Sequence, residues 1–124
     1  MITLIDTSAW IEALRKKGDA ETRKKVQELL LAGNARVSEP ILLELFHKAQ
    51  GKEEIKVIKE LSETIPVLLC NSEVYFLAFE IAQKLRSKGI TVPAMDILIY
   101  STARHHKTIL LHRDSDFIMI EKVL

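Results

Sequence analysis

The sequence predicts an α/β fold with a mainly parallel sheet of four or five strands flanked by helices. Short apolar runs alternate along the chain with longer segments whose apolar residues recur every three or four positions. Strands and helices that alternate in this way are typical of a parallel sheet covered on both faces. The chain has 124 residues, of which 48% are hydrophobic and 28% charged, so it is long enough for one domain, residues 1–124, with one core.

The first half of the chain is predicted to begin with a strand, residues 2–5, which ends at Asp6 and leads into a helix. Asp19 is a suitable N-cap for a second helix, and Gly33 with Asn34 provides its end. A strand over residues 35–38 follows. It is succeeded by a third helix over 40–51, which Pro40 starts and Gly51 ends, and by a fourth helix over 52–62.

The second half begins with a continuous apolar run, residues 65–70, which predicts a fully buried parallel strand. Ser72 is the expected cap of a fifth helix that places Phe76 and Phe79 inward and ends near Gly89. The remaining predicted elements are a helix from Pro93 to Lys107, a strand at 108–111, and a short edge strand within 118–124.

Charge, cysteine content and apolar runs argue against a strongly basic nucleic-acid-binding protein, a disulfide-linked secreted protein and a membrane-spanning protein. Eighteen basic against 17 acidic side chains give a net charge of +1, so nucleic-acid binding requires a local basic patch. The short charge runs at 15–17 and 23–25 are typical of solvated helix faces. Cys70 has no partner for a disulfide, and we expect a buried, reduced thiol. Without a secretory signal or a long apolar span, we expect a cytoplasmic protein that does not cross a membrane.

Acidic residues stand where a parallel sheet binds its ligands. Asp6 and Asp114 follow predicted strands, and ligands of such sheets lie beyond the carboxyl ends of the strands. Glu44 lies among apolar residues of a helix, and Asp96 lies in a first helical turn. Each position also has a purely structural interpretation, as a helix cap, an exposed glutamate or a turn aspartate.

Taken together, these acids predict a divalent-metal site. Four carboxylates that converge on one pocket repel each other unless a cation supplies compensating charge. Oxygen ligands without clustered cysteines favour Mg²⁺ or Mn²⁺ over zinc. Cationic side chains close to these acids in sequence are candidates for RNA binding: Arg113, Arg104 and Lys107. The neighbouring pair His105 and His106 is expected at the surface.

Four segments in this order resemble the PIN-domain ribonucleases, and most closely the VapC-like toxins of prokaryotic toxin–antitoxin pairs. They are IDTSAWIE, SEPILLEL, PAMDILIYSTA and LLHRDSDF, and they extend over nearly the whole chain. The resemblance implies a PIN-like three-layer sandwich and a hydrolase that cleaves RNA phosphodiester bonds with Mg²⁺ or Mn²⁺. It also implies the site residues, which are a catalytic quartet, an additional metal ligand and a supporting hydroxyl: Asp6, Glu44, Asp96 and Asp114, then Asp116, then Ser8.

The same resemblance implies partners. Toxins of this kind form homodimers and are silenced by an antitoxin that fills an apolar groove. Trp10, Ile11, Leu14 and Phe46 are candidates for that groove, with core packing as the alternative. One departure from the family pattern is His112, where Thr or Ser is usual. This histidine is free to contact phosphate or to donate a hydrogen bond to Asp114.

Two other functions fit parts of the pattern. A phosphoacceptor receiver domain is also α/β and binds Mg²⁺, but it needs an early acidic pair and an acceptor Asp after a middle strand. Here Asp6 has no acidic neighbour, and the middle strand is followed by Asn71. A PIN-like fold kept only for binding is the second alternative, and the presence of all four acids argues against lost catalysis.

Overall fold

A computed structural model describes residues 1–124 and contains a four-stranded parallel sheet. The strands are β1 (Thr3–Ile5), β2 (Ala35–Ser38), β3 (Val67–Leu68) and β4 (Ile109–Leu111). Their order in the sheet is β3-β2-β1-β4, and every pairing is parallel. The predicted α/β fold with a mainly parallel sheet of four or five strands is therefore confirmed, and all four strands end at the same edge.

Seven helices flank the sheet: α1 (Thr7–Leu14), α2 (Ala20–Leu31), α3 (Glu39–Lys48), α4 (Gly51–Thr64), α5 (Ser72–Ser87), α6 (Ala94–His105) and α7 (Ser115–Val123). Side chains cap several of them. Asp6 caps α1, Asp19 caps α2, Asn71 caps α5 and Asp114 caps α7, each by accepting a hydrogen bond from a backbone N–H of the first turn. Such caps satisfy N–H groups that have no partner within the helix.

The hydrophobic core lies around the two central strands. Leu4, Ile5 and Val37 are fully buried, and Trp10 of α1 is only 1% exposed. Trp10 is therefore a core residue, as the core-packing alternative predicted, and it does not line an outer groove. Ile11 and Leu14 are half-buried against the core, while Phe46 is exposed. No helix of the chain combines the length and apolar character needed to cross a membrane.

The C-terminal segment differs from its prediction. Residues 118–124 do not form an edge strand, because they belong mostly to helix α7. Phe117 and Ile120, three positions apart, are both buried, which is the spacing of one helical face. The three consecutive apolar residues at 118–120 resemble a strand, and the helical spacing of Phe117 and Ile120 was therefore not recognised.

The strand predicted at 65–70 is also different. Only Val67 and Leu68 form β3, and both are half-buried. The strand lies at the edge of the sheet and pairs only with β2, so it is covered less than a central strand would be. Leu69 beyond it is 60% exposed, and Cys70 is half-buried rather than fully buried.

Three helix details are corrected as well. Gly51 does not end the third helix, which stops at Lys48; it is the first residue of α4, with a φ of +82°. Asn71 rather than Ser72 caps α5, because its side chain accepts the Val74 N–H at 3.0 Å. The inward face of α5 consists of Val74, Ala78, Ile81 and Leu85, and the predicted inward Phe76 and Phe79 are 63% and 54% exposed.

Candidate metal centre

Asp6 lies directly beyond the end of β1 and has two kinds of contact. Its Oδ2 atom accepts hydrogen bonds from the backbone N–H of Ser8 at 3.0 Å and from the Ser8 hydroxyl at 2.5 Å. The residue is 3% exposed, and because both hydrogen bonds go to Oδ2, the Oδ1 atom remains available to a ligand. The helix-cap interpretation and the ligand interpretation are thus compatible at this position.

Ser8 joins Asp6 to a distant loop. The Ser8 hydroxyl oxygen accepts the backbone N–H of Arg113 at 2.9 Å while its proton goes to Asp6. The loop between β4 and α7, which carries Asp114, is therefore fixed against the start of α1. This places two acids from opposite ends of the chain at the same edge of the sheet.

Asp96 lies in the first turn of α6 and is 7% exposed. Burial is the largest of the causes that raise the pKa of its carboxyl to about 7, and the negative charges of Asp114 and Asp6 are the next largest. A hydrogen bond with Asp116 and the charge of that residue act in the same direction. These contributions indicate that the four aspartates lie close enough to repel each other.

Asp114 and Asp116 complete the cluster. Asp114 caps α7 through Oδ1, which accepts the Asp116 N–H at 2.9 Å, so the two carboxylates stand on one turn of backbone. Carboxylate oxygens of Asp96, Asp114 and Asp116 all lie within 4.8 Å of one another. We call Asp6, Asp96, Asp114 and Asp116 the acidic cluster.

Glu44 reaches this region from α3 but makes a different contact. It is half-buried, as its apolar neighbours predicted, and its Oε1 atom accepts a hydrogen bond from the Thr7 hydroxyl at 2.9 Å. Thr7 follows Asp6 directly and is 3% exposed. Glu44 is therefore tied to the Asp6 side of the site and does not belong to the group of three close carboxylates.

The acidic cluster fits a hard divalent cation. The donors are all oxygen atoms, which Mg²⁺ and Mn²⁺ prefer. Oxygens of one Mg²⁺ shell, at about 2.1 Å from the ion, are separated by up to about 4.2 Å, close to the spacing observed here. The negative charges of Asp114, Asp6 and Asp116 contribute to the raised pKa of Asp96, and such an ion would compensate these charges.

The three cationic candidates have different locations. Arg113 lies beside the cluster, where its guanidinium is 3.4 Å from Asp19 Oδ2. Arg104 is exposed and donates a hydrogen bond of 3.3 Å to the Tyr100 hydroxyl, in a cavity that His112 also lines. Lys107 precedes β4, at the sheet edge opposite to the strand ends. The fold therefore separates Lys107 from the acidic cluster.

His112 does not donate a hydrogen bond to the Asp114 carboxylate. Its Nδ1 atom instead accepts the backbone N–H of Asp114 at 3.3 Å, and its ring lies 4.9 Å from the ring of Phe117. The histidine thus orders the turn that carries Asp114. His105 and His106, expected at the surface, are half-buried at the end of α6, where His106 Nε2 contacts the Leu69 carbonyl at 2.9 Å.

Two contributors to the site were missed in the sequence. The sequence pattern assigned no role to Thr7, and it assigned Asp19 only a role as a helix cap. A signal for Thr7 was present, because a partly buried carboxylate such as Glu44 needs a hydrogen-bond donor. The Thr7 hydroxyl, directly after Asp6, is such a donor. Nothing in the sequence indicated that Asp19 would meet Arg113, which is 94 positions away.

Comparison with known proteins gives a family match over nearly the whole chain. Residues 3–123 match the PIN domain family. Ribonuclease VapC11 of Mycobacterium tuberculosis is 33% identical over 124 residues, which covers 97% of this chain and 92% of that relative.

Solved structures share the fold at lower identity. VapBC2 from Rickettsia felis, bound to a DNA fragment from its promoter, superposes with a TM-score of 0.76 at 22% identity and covers 96% of this chain and 92% of that one. VapBC-1 from nontypeable Haemophilus influenzae gives a TM-score of 0.76 at 23% identity, with 100% and 95% covered. At these identities the likeness concerns the fold.

Proposed function

The chain belongs to the PIN domain family, and on that premise we propose that it is a Mg²⁺- or Mn²⁺-dependent endoribonuclease, the toxin of a toxin–antitoxin pair. The observation that carries the proposal is the convergence of Asp96, Asp114 and Asp116 within 4.8 Å, with Asp6 beside them. A relative 33% identical over almost its whole length is named a ribonuclease, which supports the same reaction.

In this proposal the acidic cluster holds the cation, and Ser8 fixes the orientation of Asp6. A divalent cation at such a site supplies positive charge at the scissile phosphate and makes water a better nucleophile at neutral pH. Asp96 must give up its proton to serve as a ligand, because its pKa lies near 7 without the ion. Glu44, held by Thr7, provides a further carboxylate on the Asp6 side of the reacting phosphate.

Cleavage of RNA with and without EDTA tests the reaction. We expect cleavage with Mg²⁺ or Mn²⁺, none with EDTA, and loss of about 100-fold or more in Asp96→Asn, since one ligand and its charge are removed. Glu28→Gln is a matched control, because Glu28 is an exposed acid on α2 away from the cluster. Wild-type cleavage by Asp96→Asn would contradict the assigned role, and an inert wild-type protein would favour the non-catalytic binding alternative.

A cognate antitoxin is the proposed partner. A solved structure of related fold, from Klebsiella pneumoniae, is a toxin–antitoxin complex. Apolar side chains of α3 support a docking surface here, since Leu43 is 63% and Phe46 40% exposed. We expect a protein encoded next to this gene to bind the chain and suppress cleavage, and Phe46→Glu to weaken that inhibition while cleavage persists.

We also propose that the chain forms a homodimer through the outer face of α5. Tyr75, Phe76 and Phe79 are all exposed there, and a fully apolar cavity of about 340 Å³ lies between α5 and the start of α6. A two-fold interface requires a self-complementary patch, and this face has projecting aromatic rings and a cavity side by side.

A further inference from the structure

The positive charge of the chain is concentrated in one segment. Residues 15–25 contain six basic and two acidic side chains, a net charge of +4, which leaves the rest of the chain at −3. By net charge, this segment therefore attracts a polyanion more strongly than the rest of the chain does. Its first part, residues 15–18, connects α1 to α2, and we call it the basic loop.

The basic loop is held in a defined conformation by its own neighbours. The Arg23 guanidinium donates hydrogen bonds to the carbonyls of Arg15 and Lys16, and the Glu12 carboxylate accepts the Asp19 N–H. Gly18 packs so closely on α1 that a Cβ atom there would lie 1.7 Å from the Glu12 carbonyl oxygen. These contacts distinguish the basic loop from a run of charged residues that only faces solvent, because they fix the conformation of its backbone.

A continuous series of contacts connects the basic loop to the acidic cluster. Asp19, which follows the loop, accepts hydrogen bonds from both the backbone N–H and the hydroxyl of Thr22 through Oδ2, and the same atom is 3.4 Å from Arg113. The Arg113 backbone in turn donates to Ser8, which donates to Asp6. The loop itself lies at the end of α1, where Arg15 contacts the Lys48 carbonyl, and the eight residues of that helix, about 12 Å, separate it from the acids at the helix start.

Within the loop, two cations remain free for a ligand. Arg15 is used internally, because it pairs with Glu54 at 3.4 Å and donates to the Lys48 carbonyl at 3.1 Å. Lys16 and Lys17 are exposed, and neither forms an ion pair. Two adjacent ammonium groups on an ordered loop can bind phosphates of an irregular RNA backbone, because a lysine ammonium can donate hydrogen bonds in many directions.

We propose that Lys16 and Lys17 of the basic loop bind the phosphodiester backbone of single-stranded RNA and guide it to the acidic cluster. This rests on the proposed ribonuclease function and adds the surface that positions its substrate. A site made of carboxylates repels RNA, so affinity requires cations along the path of the bound strand, and Lys16 and Lys17 provide two that pair with no carboxylate. Both lysines are binding residues in this proposal and have no part in the chemical step.

Binding is tested with a fluorescein-labelled single-stranded RNA in EDTA, so that no cleavage occurs. We expect Lys16→Ala/Lys17→Ala to reduce the slope of log affinity against log salt by about 1.4, that is about 0.7 for each lost phosphate contact. The effect of raising KCl from 50 to 200 mM then becomes about sevenfold smaller. Lys16→Arg/Lys17→Arg should bind as the wild type, because it keeps both charges.

Lys84→Ala/Lys88→Ala is the matched control, since it removes two exposed and unpaired lysines at the far end of α5. If the loop variant and this control have the same affinity and salt slope, the proposal is overturned. It is also overturned if the loop variant binds RNA normally but escapes inhibition by the partner protein, because the loop is then a protein-binding surface.

Cleavage with Mn²⁺ separates this proposal from the proposed function. If the wild type cleaves and the loop variant has a raised KM with a nearly unchanged kcat, the ribonuclease function and the role of the loop are both supported. If the wild type cleaves and KM is unchanged in the loop variant, only the role of the loop fails. A wild type that binds RNA through the loop but cleaves nothing contradicts the ribonuclease function alone.

Discussion

The backbone N–H of Arg113 donates a hydrogen bond of 2.9 Å to the hydroxyl of Ser8, across 105 positions of sequence. The Ser8 hydroxyl in turn donates a hydrogen bond of 2.5 Å to the Asp6 carboxylate. One hydroxyl therefore sets the distance between the strand end that carries Asp6 and the loop that carries Asp114. Such supporting contacts orient ligands that would otherwise move independently.

Ser8→Ala is expected to weaken Mn²⁺ binding by about 10- to 100-fold, because both ligand-bearing segments lose their common partner. Isothermal titration calorimetry measures this without any RNA. Ser8→Thr keeps the hydroxyl and should retain most of the affinity, and Ser87→Ala, at an exposed position of α5, should match the wild type. Equal Mn²⁺ affinity in Ser8→Ala and the wild type would show that the bridge is dispensable.

The raised pKa of Asp96 makes the stability of the metal-free protein depend on pH. Between the ordinary value of 3.8 and about 7, the folded chain holds a proton that the unfolded chain has lost. The resulting stabilisation is complete below the ordinary pKa and disappears as pH rises through 7. We expect the free energy of unfolding in EDTA to fall over this range, by at most about 1.4 kcal/mol for each pH unit.

Urea unfolding in EDTA from pH 4.5 to 8 measures the effect, with Asp96→Asn as the comparison. The variant cannot ionise at this position and should be more stable than the wild type at pH 8, while the two converge near pH 4.5. Adding Mn²⁺ at pH 8 should stabilise the wild type and leave the variant much less affected. A stability difference that stays constant across this pH range would argue against the assigned cause.

Phe76→Lys should convert the proposed homodimer into a monomer. The ring of Phe76 is 63% exposed on α5, and a charge placed in an apolar interface must be desolvated without a partner. Sedimentation velocity at several protein concentrations measures the change. Leu31→Lys is the control, because Leu31 is 90% exposed on a different helix. If wild-type protein sediments as a monomer at high concentration, the proposed interface is wrong.

Gly18→Ala should destabilise the fold more than Gly33→Ala. An added Cβ at Gly18 would collide with the backbone of Glu12, so either α1 or the basic loop must move. At Gly33 the space is open, and the cost is confined to a φ of +73°, on the order of 1 kcal/mol. Thermal or urea unfolding ranks the two variants, and the reverse order would show that the loop adapts easily.

The sequence by itself determined the α/β class, most strand positions and the acids at the sheet edge. These features depend on local periodicity and on the rule that parallel strands end at one edge. The acids therefore followed from residue type and position along the chain, and the structure brings Asp6, Asp96, Asp114 and Asp116 close together.

Tertiary packing decided what local pattern could not. Residues 118–124 are apolar enough for a strand, but the buried pair Phe117 and Ile120 selects a helix. The short β3 is half-exposed because it lies at the edge of the sheet. The residues of β3 alone do not specify whether the strand lies at the edge or in the centre. The bridge from Arg113 to Ser8, and the pairing of Asp19 with Arg113, exist only once distant segments meet. Contacts of that range depend on the whole fold, since no local sequence signal specifies a partner about a hundred residues away.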